Sequence, residues 1–331
     1  MFGTIPKEWE ITLKTNDPLQ VEINKLQQEM TIISNKLNYT IMLMNNYLSC
    51  MQFPPASLKA DSTFGPIVTM TTIPERMSSI HLAIESILMQ TIQPQKIVIY
   101  ISDTIDINIY ITDKLQNQID RGVQFKQVKD VGPHTKLIYA LKDYPDDILI
   151  TFDDDIIYPL NTIQYLYKQH EKYQNAIICN YARELTLDGP KSIKAIVAGR
   201  LLTPANSVSN IQQQKYNAYP TLKAFPYGFA GVLYPPHSLS TQVFDVALFQ
   251  KLCPTEDDIW FKAMSLLKRT PIVATNLGFT PDHVIALGTQ HVALKHTNQA
   301  EHASHPQLES VFNYFNLFSI LQEEIQGYRI F

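Results

Sequence analysis

The sequence predicts an α/β fold over residues 65–331, with a mostly parallel central sheet flanked by helices. Three short segments rich in β-branched residues, 66–70, 95–101 and 123–128, alternate with segments of helical periodicity, which is typical of strands joined by helical crossovers. A fourth apolar segment, 148–152, leads directly into three consecutive aspartates. Because sheets of this kind bind ligands at the carboxyl ends of their strands, we expect the functional site at that edge.

Composition narrows the classes of function. The chain has 331 residues, of which 45% are hydrophobic, enough to bury a large core, and this length predicts either one large domain with an appendage or two domains. Its formal net charge is −4, whereas nucleic-acid-binding proteins usually present a basic surface, so we expect no nucleic-acid partner. Cys50, Cys179 and Cys253 are widely separated, which argues against a disulfide framework or a zinc site and fits a reducing compartment.

The expected location follows from the N-terminus and the apolar segments. Residues 1–9 lack the basic and apolar regions of a signal peptide. No window approaches the roughly 18 uninterrupted apolar residues that a membrane span requires. We therefore expect a cytoplasmic protein, with peripheral association at the inner membrane face left open.

Residues 17–52 carry a heptad repeat. Asp17 and Pro18 form a helix start, an N-capping residue followed by proline at the first helical position. A strict period of 3.5 is what supercoiling requires, so we expect self-association through a coiled-coil helix, with dimer and trimer both open. The alternative is a long amphipathic helix packed on the rest of the chain. The repeat places these residues at alternating steps of four and three: Leu19, Ile23, Leu26, Met30, Ile33, Leu37, Thr40, Met44, Tyr47 and Met51.

The remaining boundaries follow from prolines and from changes in periodicity. Residues 1–16 form an N-terminal segment, and Phe53-Pro-Pro55 ends the heptad helix and opens a linker over 53–64. Residues 184–222 are polar with poor periodicity, which predicts an insertion that is either mobile or shapes a substrate site. Within 65–331 we also predict a strand at 176–180 and helices at 78–90, 136–141, 161–172, 244–252, 254–264 and 308–326.

The aspartates after the fourth strand, Asp153, Asp154 and Asp155, indicate a cation site. Adjacent carboxylates at a strand end repel one another, so burying them without a counter-cation is costly. A hard divalent cation such as Mg²⁺ or Mn²⁺ takes oxygen ligands and is usually shared between carboxylates and a substrate diphosphate. The alternative is a solvated acidic turn.

A second acidic group opens the helix predicted at 254–264. Thr255-x-x-Asp258 has the form of a capping box, and the dipole of a helix favours carboxylates in its first turn, so this group has an entirely structural explanation. The functional alternative is that Asp257 or Asp258 faces the sheet as a general base. No Gly-rich phosphate loop, G-x-S-x-G elbow or H-E-x-x-H motif occurs in the sequence.

Two further features late in the chain leave alternatives open. Gly228 and Gly231 lie among aromatic residues, which indicates close approach of the backbone to a ligand or a neighbouring strand, or else a tightly packed turn. Several histidines follow at irregular spacing, which gives no metal-site signature, although one of them could complete a metal site. These histidines are His283, His291, His296, His302 and His305.

The motifs form an ordered set along the chain: Thr71-Thr-Ile-Pro-Glu-Arg76, Asp130-x-Gly-Pro-x-Thr-Lys136, Phe152-Asp-Asp-Asp-Ile-Ile-Tyr-Pro159, Gly228-Phe-Ala-Gly-Val-Leu-Tyr-Pro-Pro236 and Asp257-Asp-Ile-Trp-Phe-Lys-Ala263. Together they resemble bacterial glycosyltransferases of the GT-A fold, the nucleotide-diphospho-sugar transferase fold. The likeness is to the family-2-like enzymes that build surface polysaccharides, with some similarity to exostosin-type C-terminal domains. It covers roughly residues 65–300 and leaves out the heptad helix.

The resemblance implies roles for matching residues. It makes Asp155 and Asp153 the metal ligands and Asp258 the catalytic base beside Asp257. Asp153 and Asp154 would face the ribose and the waters of the metal. The other residues it places at the nucleotide sugar are Thr71, Pro74, Arg76, Asp103, Gly132 and Lys136. Those it places at the donor or acceptor pocket are Tyr227, Gly228, Gly231 and Trp260.

The resemblance also implies an activity. The expected enzyme is a glycosyltransferase that uses Mn²⁺ or Mg²⁺ to move a sugar from a nucleotide-diphosphate sugar, a UDP-sugar first, to a glycan or glycolipid hydroxyl. A bacterial surface glycan such as capsule or lipopolysaccharide is the expected product, made with inversion by Asp258, although retention stays open. The alternatives are a nucleotidyltransferase and a non-catalytic coiled-coil scaffold that binds a sugar nucleotide.

Overall fold

The computed structural model describes the chain in several stretches. Inside the predicted heptad helix, every described residue is helical. The rest of that helix, most of the predicted insertion at 184–222 and the histidines from His283 to His302 lie outside the described residues. The described residues are 18–27, 29–30, 33–34, 37, 41, 57–58, 65–189, 192–193, 202, 218–275 and 304–325.

Nine strands lie in the described residues and form two sheets. The main sheet has seven strands in the order β3-β2-β1-β4-β8-β5-β9, and β6 and β7 form a separate antiparallel pair. The bounds are β1 (Ile67–Thr71), β2 (Lys96–Ser102), β3 (Gln124–Val128), β4 (Leu149–Thr151), β5 (Ile177–Cys179), β6 (Ala182–Glu184), β7 (Ala224–Pro226), β8 (Val232–Tyr234) and β9 (Ile272–Ala274).

Eight α-helices of the described stretches from residue 65 onward accompany the sheets. None of the described helices is both long enough and apolar enough to cross a membrane. The bounds are α1 (Ile80–Leu88), α2 (Asp113–Asp120), α3 (Thr135–Asp143), α4 (Thr162–Lys172), α5 (Val246–Leu252), α6 (Asp257–Lys268), α7 (Ser304–Tyr314) and α8 (Leu317–Ile325). Single 3₁₀ turns lie at Pro74–Arg76, Ile107–Ile109, Gly228–Ala230 and Thr241–Phe244.

The main sheet is parallel except at one strand. β1 pairs in parallel with β2 and β4, β2 with β3, and β5 with β9. Strand β8 lies between β4 and β5 and is antiparallel to both. The predicted mixed α/β architecture with a mostly parallel sheet is therefore confirmed, while the reversed strand was not predicted because three residues carry no recognisable periodicity.

Both faces of the sheet are buried. Successive residues of β2 alternate between two cores: Val98 and Tyr100 pack on one face, and Ile97, Ile99 and Ile101 on the other. Helices cover each face, since α3 and α6 contribute to the first core and α1 to the second. Strands buried on both faces read as continuous apolar segments, which is how β1, β2 and β4 were recognised from the sequence.

Some predicted elements differ from the structure. The single helix predicted at 308–326 is two helices, because Asn316 has φ of 54° and breaks the helix between α7 and α8. Helix α1 begins at Ile80, two residues later than the predicted 78; Ser79 precedes it, but the Ser79 hydroxyl donates to the Arg76 carbonyl and does not cap the helix. Helix α2 was missed, because its sequence is largely polar.

Gly231 joins the reversed strand to the loop before it. Its φ is +89°, a conformation that favours glycine, and a Cβ at this position would overlap the Phe152 ring. Phe152 is fully buried and its ring centroid lies 4.1 Å from that of Tyr158, so the ring has little room to move. Close packing of strand β8 on the end of β4 therefore requires glycine at 231.

We predict that Gly231→Ala lowers the free energy of unfolding by roughly 2–4 kcal/mol, because it combines backbone strain with overpacking. Gly189→Ala is the matched control, since Gly189 also has positive φ (147°) but the nearest atom to its Cβ would be Ser192 Cβ at 3.9 Å. Chemical denaturation measures both variants. Equal losses would show that Phe152 moves aside freely.

Candidate functional site

Three chain segments meet at the carboxyl edge of the main sheet. Since β1 and β4 are parallel neighbours, the residues that follow them leave the sheet on the same side. Strand β8 runs antiparallel to β4, with Val232 opposite Thr151, and therefore begins at this edge. The loop 228–231 before β8 is thus brought beside the aspartates that follow β4.

Arg76 holds two of these aspartates. Its Nη1 lies 2.5 Å from Asp154 Oδ1, and its Nη2 lies 3.2 Å from Asp155 Oδ2. The other oxygen of Asp154 accepts a 2.6 Å hydrogen bond from Thr72 Oγ1, and this side chain is 4% exposed. Arg76 can reach both carboxylates because it ends the 3₁₀ turn that begins at Pro74, directly after β1. Asp154 is therefore a buried carboxylate with a partner on each oxygen.

Lys136 joins the two acidic groups. Its Nζ lies 2.8 Å from Asp153 Oδ1 and 3.0 Å from Asp257 Oδ2, and its side chain is 9% exposed. The carbonyl of Lys136 accepts a hydrogen bond from the hydroxyl of Thr69 in β1, which fixes the first turn of α3 against the sheet. One buried ammonium thus connects carboxylates that are far apart in the sequence.

The backbone of Gly228 binds the carboxylate of Asp258. The Gly228 nitrogen lies 3.1 Å from Oδ1 and 3.0 Å from Oδ2. A Cβ at residue 228 would lie 2.8 Å from Asp258 Oδ1 and 3.1 Å from Lys136 Nζ, so only glycine permits this approach. Asp258 retains more solvent exposure than Asp257, which is 8% exposed.

Tyr158 ties the aspartate loop to the Gly228 loop. Its hydroxyl accepts a 2.8 Å hydrogen bond from the Asp153 nitrogen and donates a 3.0 Å bond to the Phe229 carbonyl. The side chain is almost completely buried. Tyr158 lies within the Phe152–Pro159 motif, but the sequence does not reveal its role, because the direction of a tyrosine hydroxyl depends on the tertiary structure.

Burial disfavours the charged form of two carboxylates after β4, those of Asp154 and Asp155. It raises the pKa of Asp154, although Arg76 and Thr72 oppose that change. It raises the pKa of Asp155 to about 6; Arg76 opposes the rise, and Asp153 and Asp154 add to it. Electrostatic repulsion within the triplet is therefore present in the fold, as the sequence predicted.

The second acidic group shows the same effect. Burial raises the pKa of Asp257 and of Asp258, and for Asp258 the charge of Asp257 raises it further. Lys136 opposes the rise at both carboxyls. Burial on its own would lower the pKa of Lys136, but the neighbouring carboxylates hold that pKa well above its ordinary value. Lys136 is therefore a permanent cation.

The chemistry of this edge fits a divalent cation. Among its described residues, five carboxylates face two cationic side chains, and the donors are hard oxygen atoms. Asp153, at 28%, has the most exposed side chain of the triplet, and it and Asp155 are the metal ligands predicted from the motif resemblance. In the described part of the chain, no three His, Cys, Asp or Glu side chains are gathered as a metal site.

Two neighbouring threonines, Thr71 at the end of β1 and Thr72 just after it, have different contacts. The sequence placed Thr71 at the nucleotide, but the Thr71 hydroxyl donates to the Tyr100 carbonyl in the neighbouring strand. It is Thr72 that contacts the aspartates. The sequence could not separate the two, because neighbouring residues of an extended segment point to opposite faces and the register decides which one turns to the site.

Other residues predicted for the nucleotide lie along the same edge but away from the carboxylate cluster. Asp103 is exposed after β2, and its backbone nitrogen donates to the Val128 carbonyl at the end of β3. Gly132 has φ of +74°, and a Cβ there would lie 3.4 Å from the Pro254 carbonyl. The loop after β3 therefore packs against the segment that leads into α6.

The residues predicted for the donor or acceptor pocket divide into two groups. Tyr227 is half-buried and adjoins Gly228, the residue that binds Asp258. Trp260 is fully buried, donates its indole N–H to the Val243 carbonyl and packs against Phe249, so it is part of the core. From the sequence alone, the spacing of Asp257, Asp258 and Trp260 along the helix did not show which of these side chains faces the edge of the sheet.

The predicted capping box is wrong. Helix α6 has Glu256 at its N-cap without a side-chain capping bond, and Asp258 bonds to Gly228 instead of Thr255. The Thr255 hydroxyl accepts a hydrogen bond from Gln307 in α7. Tertiary contacts therefore outweigh the local motif, which leaves Asp258 turned to the site.

No protein-family model matches the chain, and no curated protein matches it in sequence. Among solved structures, it is similar to the mannosyltransferase PcManGT from Pyrobaculum calidifontis in complex with GDP-Man and Mn²⁺, with a TM-score of 0.44 and 11% identity over 91% of this chain and 86% of that chain. It is also similar to S. aureus TarS, with a TM-score of 0.40 and 13% identity over 65% of this chain and 35% of that chain. At these values neither protein's ligand carries over to this chain.

We predict that Asp155→Asn stabilises the metal-free protein at pH 8 by up to about 3 kcal/mol, because the wild-type carboxyl titrates near pH 6 when folded and near 4 when unfolded. Between those values the folded state binds more protons, so wild-type stability falls as pH rises. The gain should shrink as pH falls below 6 and vanish at about pH 3, below the unfolded pKa. Denaturation in EDTA at several pH values measures it, and Asp146→Asn, whose side chain is 83% exposed, is the control. A gain independent of pH would contradict the assignment.

Proposed function

We propose that this protein is a glycosyltransferase of the GT-A fold that moves a sugar from a nucleoside diphosphate to an acceptor hydroxyl. One observation carries the proposal: at the carboxyl edge of a mostly parallel sheet, Lys136 joins Asp153 of one acidic group to Asp257 of another. Glycosyl transfer from a nucleoside diphosphate needs a site that binds the phosphates and, next to it, a base that accepts the proton of the acceptor. Two neighbouring acidic groups can serve these two purposes.

The first acidic group supports the leaving diphosphate. Asp155 and Asp153 would hold Mn²⁺ or Mg²⁺, which when bound stabilises negative charge on the leaving phosphate. Arg76 and Lys136 add fixed positive charge at the same place, where low solvent exposure strengthens their effect. A UDP-sugar is the proposed donor, with its nucleoside along the ends of β1, β2 and β3.

The second acidic group supplies the proposed base. Asp258 would accept the proton of the attacking hydroxyl in a single displacement that inverts the anomeric carbon. The Gly228 N–H holds its two oxygens in place, and burial with the charge of Asp257 nearby raises the pKa of Asp258, which makes this carboxylate a stronger base. Asp257, bound by Lys136, keeps a second negative charge beside it.

The proposed acceptor is a glycan or glycolipid of the bacterial surface, elongated in the cytoplasm or at the inner membrane face. This part of the proposal is supported by the motif resemblance of residues 65–300. Assays with surface glycans and glycolipids as acceptors test it, and transfer to none of them would contradict it.

We predict that Asp155→Ala abolishes both hydrolysis of the nucleotide sugar and transfer, together with the Mn²⁺-dependent rise in melting temperature that UDP produces. Asp258→Asn should lower transfer by about 10²–10⁴-fold and keep the rise in melting temperature, because it removes only the base. Asp146→Asn is the control for surface charge. Full activity in both variants would refute the roles, and release of pyrophosphate from a nucleoside triphosphate would indicate a nucleotidyltransferase.

We further propose that the protein self-associates through residues 17–52. The described members of the predicted heptad seam are exposed by 38–70%, an apolar face that a second copy with the same 3.5 period would cover. These residues are Leu19, Ile23, Leu26, Met30, Ile33 and Leu37.

We predict that the double variant Leu26→Lys, Ile33→Lys is monomeric, because charge in the seam prevents burial of the apolar face. The control is Val21→Lys, Asn24→Lys, which adds the same charge at exposed positions outside the seam. Sedimentation equilibrium of the full chain measures both. A monomeric wild type, or an unchanged oligomer in the seam variant, would refute the proposal.

A further inference from the structure

A cluster of aromatic side chains borders the Gly228 loop. The ring centroids of Tyr181 and Tyr227 are 5.4 Å apart, those of Tyr181 and Phe229 are 5.3 Å apart, and those of Tyr227 and Phe229 are 6.1 Å apart. All three rings are half-buried, whereas Phe225, 5.5 Å from Tyr227, is 2% exposed and lies in the core. Three of the four rings thus keep part of their surface in solvent.

This aromatic cluster, Tyr181, Tyr227 and Phe229, is close to Asp258 by chain connectivity. Tyr227 and Phe229 are the two neighbours of Gly228, and the Gly228 N–H binds both oxygens of Asp258. Consecutive Cα atoms are about 3.8 Å apart, so the Cα atoms of Tyr227 and Phe229 each lie that far from the Cα of Gly228, whose nitrogen binds the carboxylate. The charge of Asp258 also acts on the Tyr227 hydroxyl, so this part of the cluster lies near the carboxylate.

The cluster has a firm base and polar groups at its edge. The Tyr227 nitrogen donates to the Tyr181 carbonyl at 3.1 Å, and the strands β6 and β7 that follow and precede these residues are paired. Arg183 Nη2 lies 3.5 Å from the Tyr181 hydroxyl. Aromatic faces edged by hydroxyls and a guanidinium suit a ligand with one apolar face and a polar rim.

We propose that the aromatic cluster is the subsite for the acceptor, where the C–H face of a pyranose ring packs on Tyr181 and Phe229 while one of its hydroxyls meets Asp258. The proposal rests on the proposed function and names the acceptor class: a sugar residue of a glycan, held through its ring, in preference to a lipid or a peptide hydroxyl. Neither Tyr181 nor Phe229 was singled out by the sequence.

The position of the cluster favours the acceptor over the nucleobase. A base must lie within about 2.6–3.2 Å of the hydroxyl it deprotonates, so the group beside Asp258 belongs to the acceptor. The phosphates are expected at Arg76, Asp155 and Asp153, and the nucleoside at the ends of β1 to β3. Strands β6 and β7 form a separate pair, and Thr221, just before β7, bridges to Ile272 in β9, at the end of the main sheet opposite to β3.

Ligand-observed NMR with saturation of the full-length protein tests the subsite without turnover. The probes are methyl pyranosides of glucose, galactose and mannose. We expect saturation of C–H protons on one ring face for at least one probe, lost in Tyr181→Ala and retained in Tyr181→Phe. Tyr181→Leu keeps apolar volume without an aromatic face and should also lose the signal. Tyr314→Ala, at a 60% exposed tyrosine of α7, is the matched control.

Kinetics supply the second readout. In transfer to a glycan acceptor, Tyr181→Leu should raise the acceptor KM roughly tenfold, an effect typical of one lost stacking contact, while the donor KM changes less than about twofold. A rise in the donor KM with an unchanged acceptor KM would overturn the proposal in favour of a nucleobase site. The proposal would also be overturned if the pyranoside saturation signals survived in Tyr181→Leu. It would equally be overturned if the wild-type protein gave no saturation signal with any of the probes.

The two proposals can fail separately. If the pyranosides bind at Tyr181 but no nucleotide sugar yields transfer, the proposed function is wrong and the sugar subsite stands. If transfer occurs and Tyr181→Leu leaves the acceptor KM unchanged, the function stands and the subsite is overturned.

Discussion

The buried ammonium of Lys136 is the interaction on which the site depends. An unpaired charge in the interior would cost several kcal/mol, and Lys136 avoids this only because Asp153 and Asp257 lie within 3.0 Å. The same requirement applies to Asp153 and Asp257, whose charges Lys136 balances, while Arg76 pairs with Asp154 and Asp155. Helix α3 is in turn fixed by the hydrogen bond from Thr69 to the Lys136 carbonyl. Lys136 therefore connects one acidic group to the other.

A second constraint is the direction of strand β8. Because β8 is antiparallel to β4, its preceding loop reaches the carboxyl edge and brings Gly228 against Asp258. Small residues are required there: glycine at 228 leaves room for Asp258 and Lys136, and glycine at 231 leaves room for Phe152. Tyr158 then joins the two loops through its hydroxyl. The backbone at Gly228 and Gly231 therefore has to pass close to the neighbouring side chains for the site to form.

The buried carboxylates at the sheet edge lower the stability of the fold but provide groups that can bind a cation or accept a proton. Carboxylates outnumber cations at this edge, and burial raises the pKa of Asp154, Asp155, Asp257 and Asp258. A site selected for stability alone would replace some of them with neutral residues. Their retention beside an aromatic cluster with solvent-exposed faces is consistent with a ligand that supplies positive charge on one side and a sugar ring on the other.

The sequence by itself determined the elements and the chemistry at their ends. Continuous apolar segments, typical of strands buried on both faces, predicted β1, β2 and β4. The location of Asp153 to Asp155 at the carboxyl edge of the sheet followed directly, because these residues come just after β4. Only the tertiary structure decided which neighbour faces the site. Thr72 in place of Thr71, a buried Trp260, and Asp258 bound to Gly228 in place of a helix cap all depend on register and on pairing with the reversed strand β8. Those contacts join residues that are far apart in the sequence, so they cannot be predicted from the periodicity of short segments.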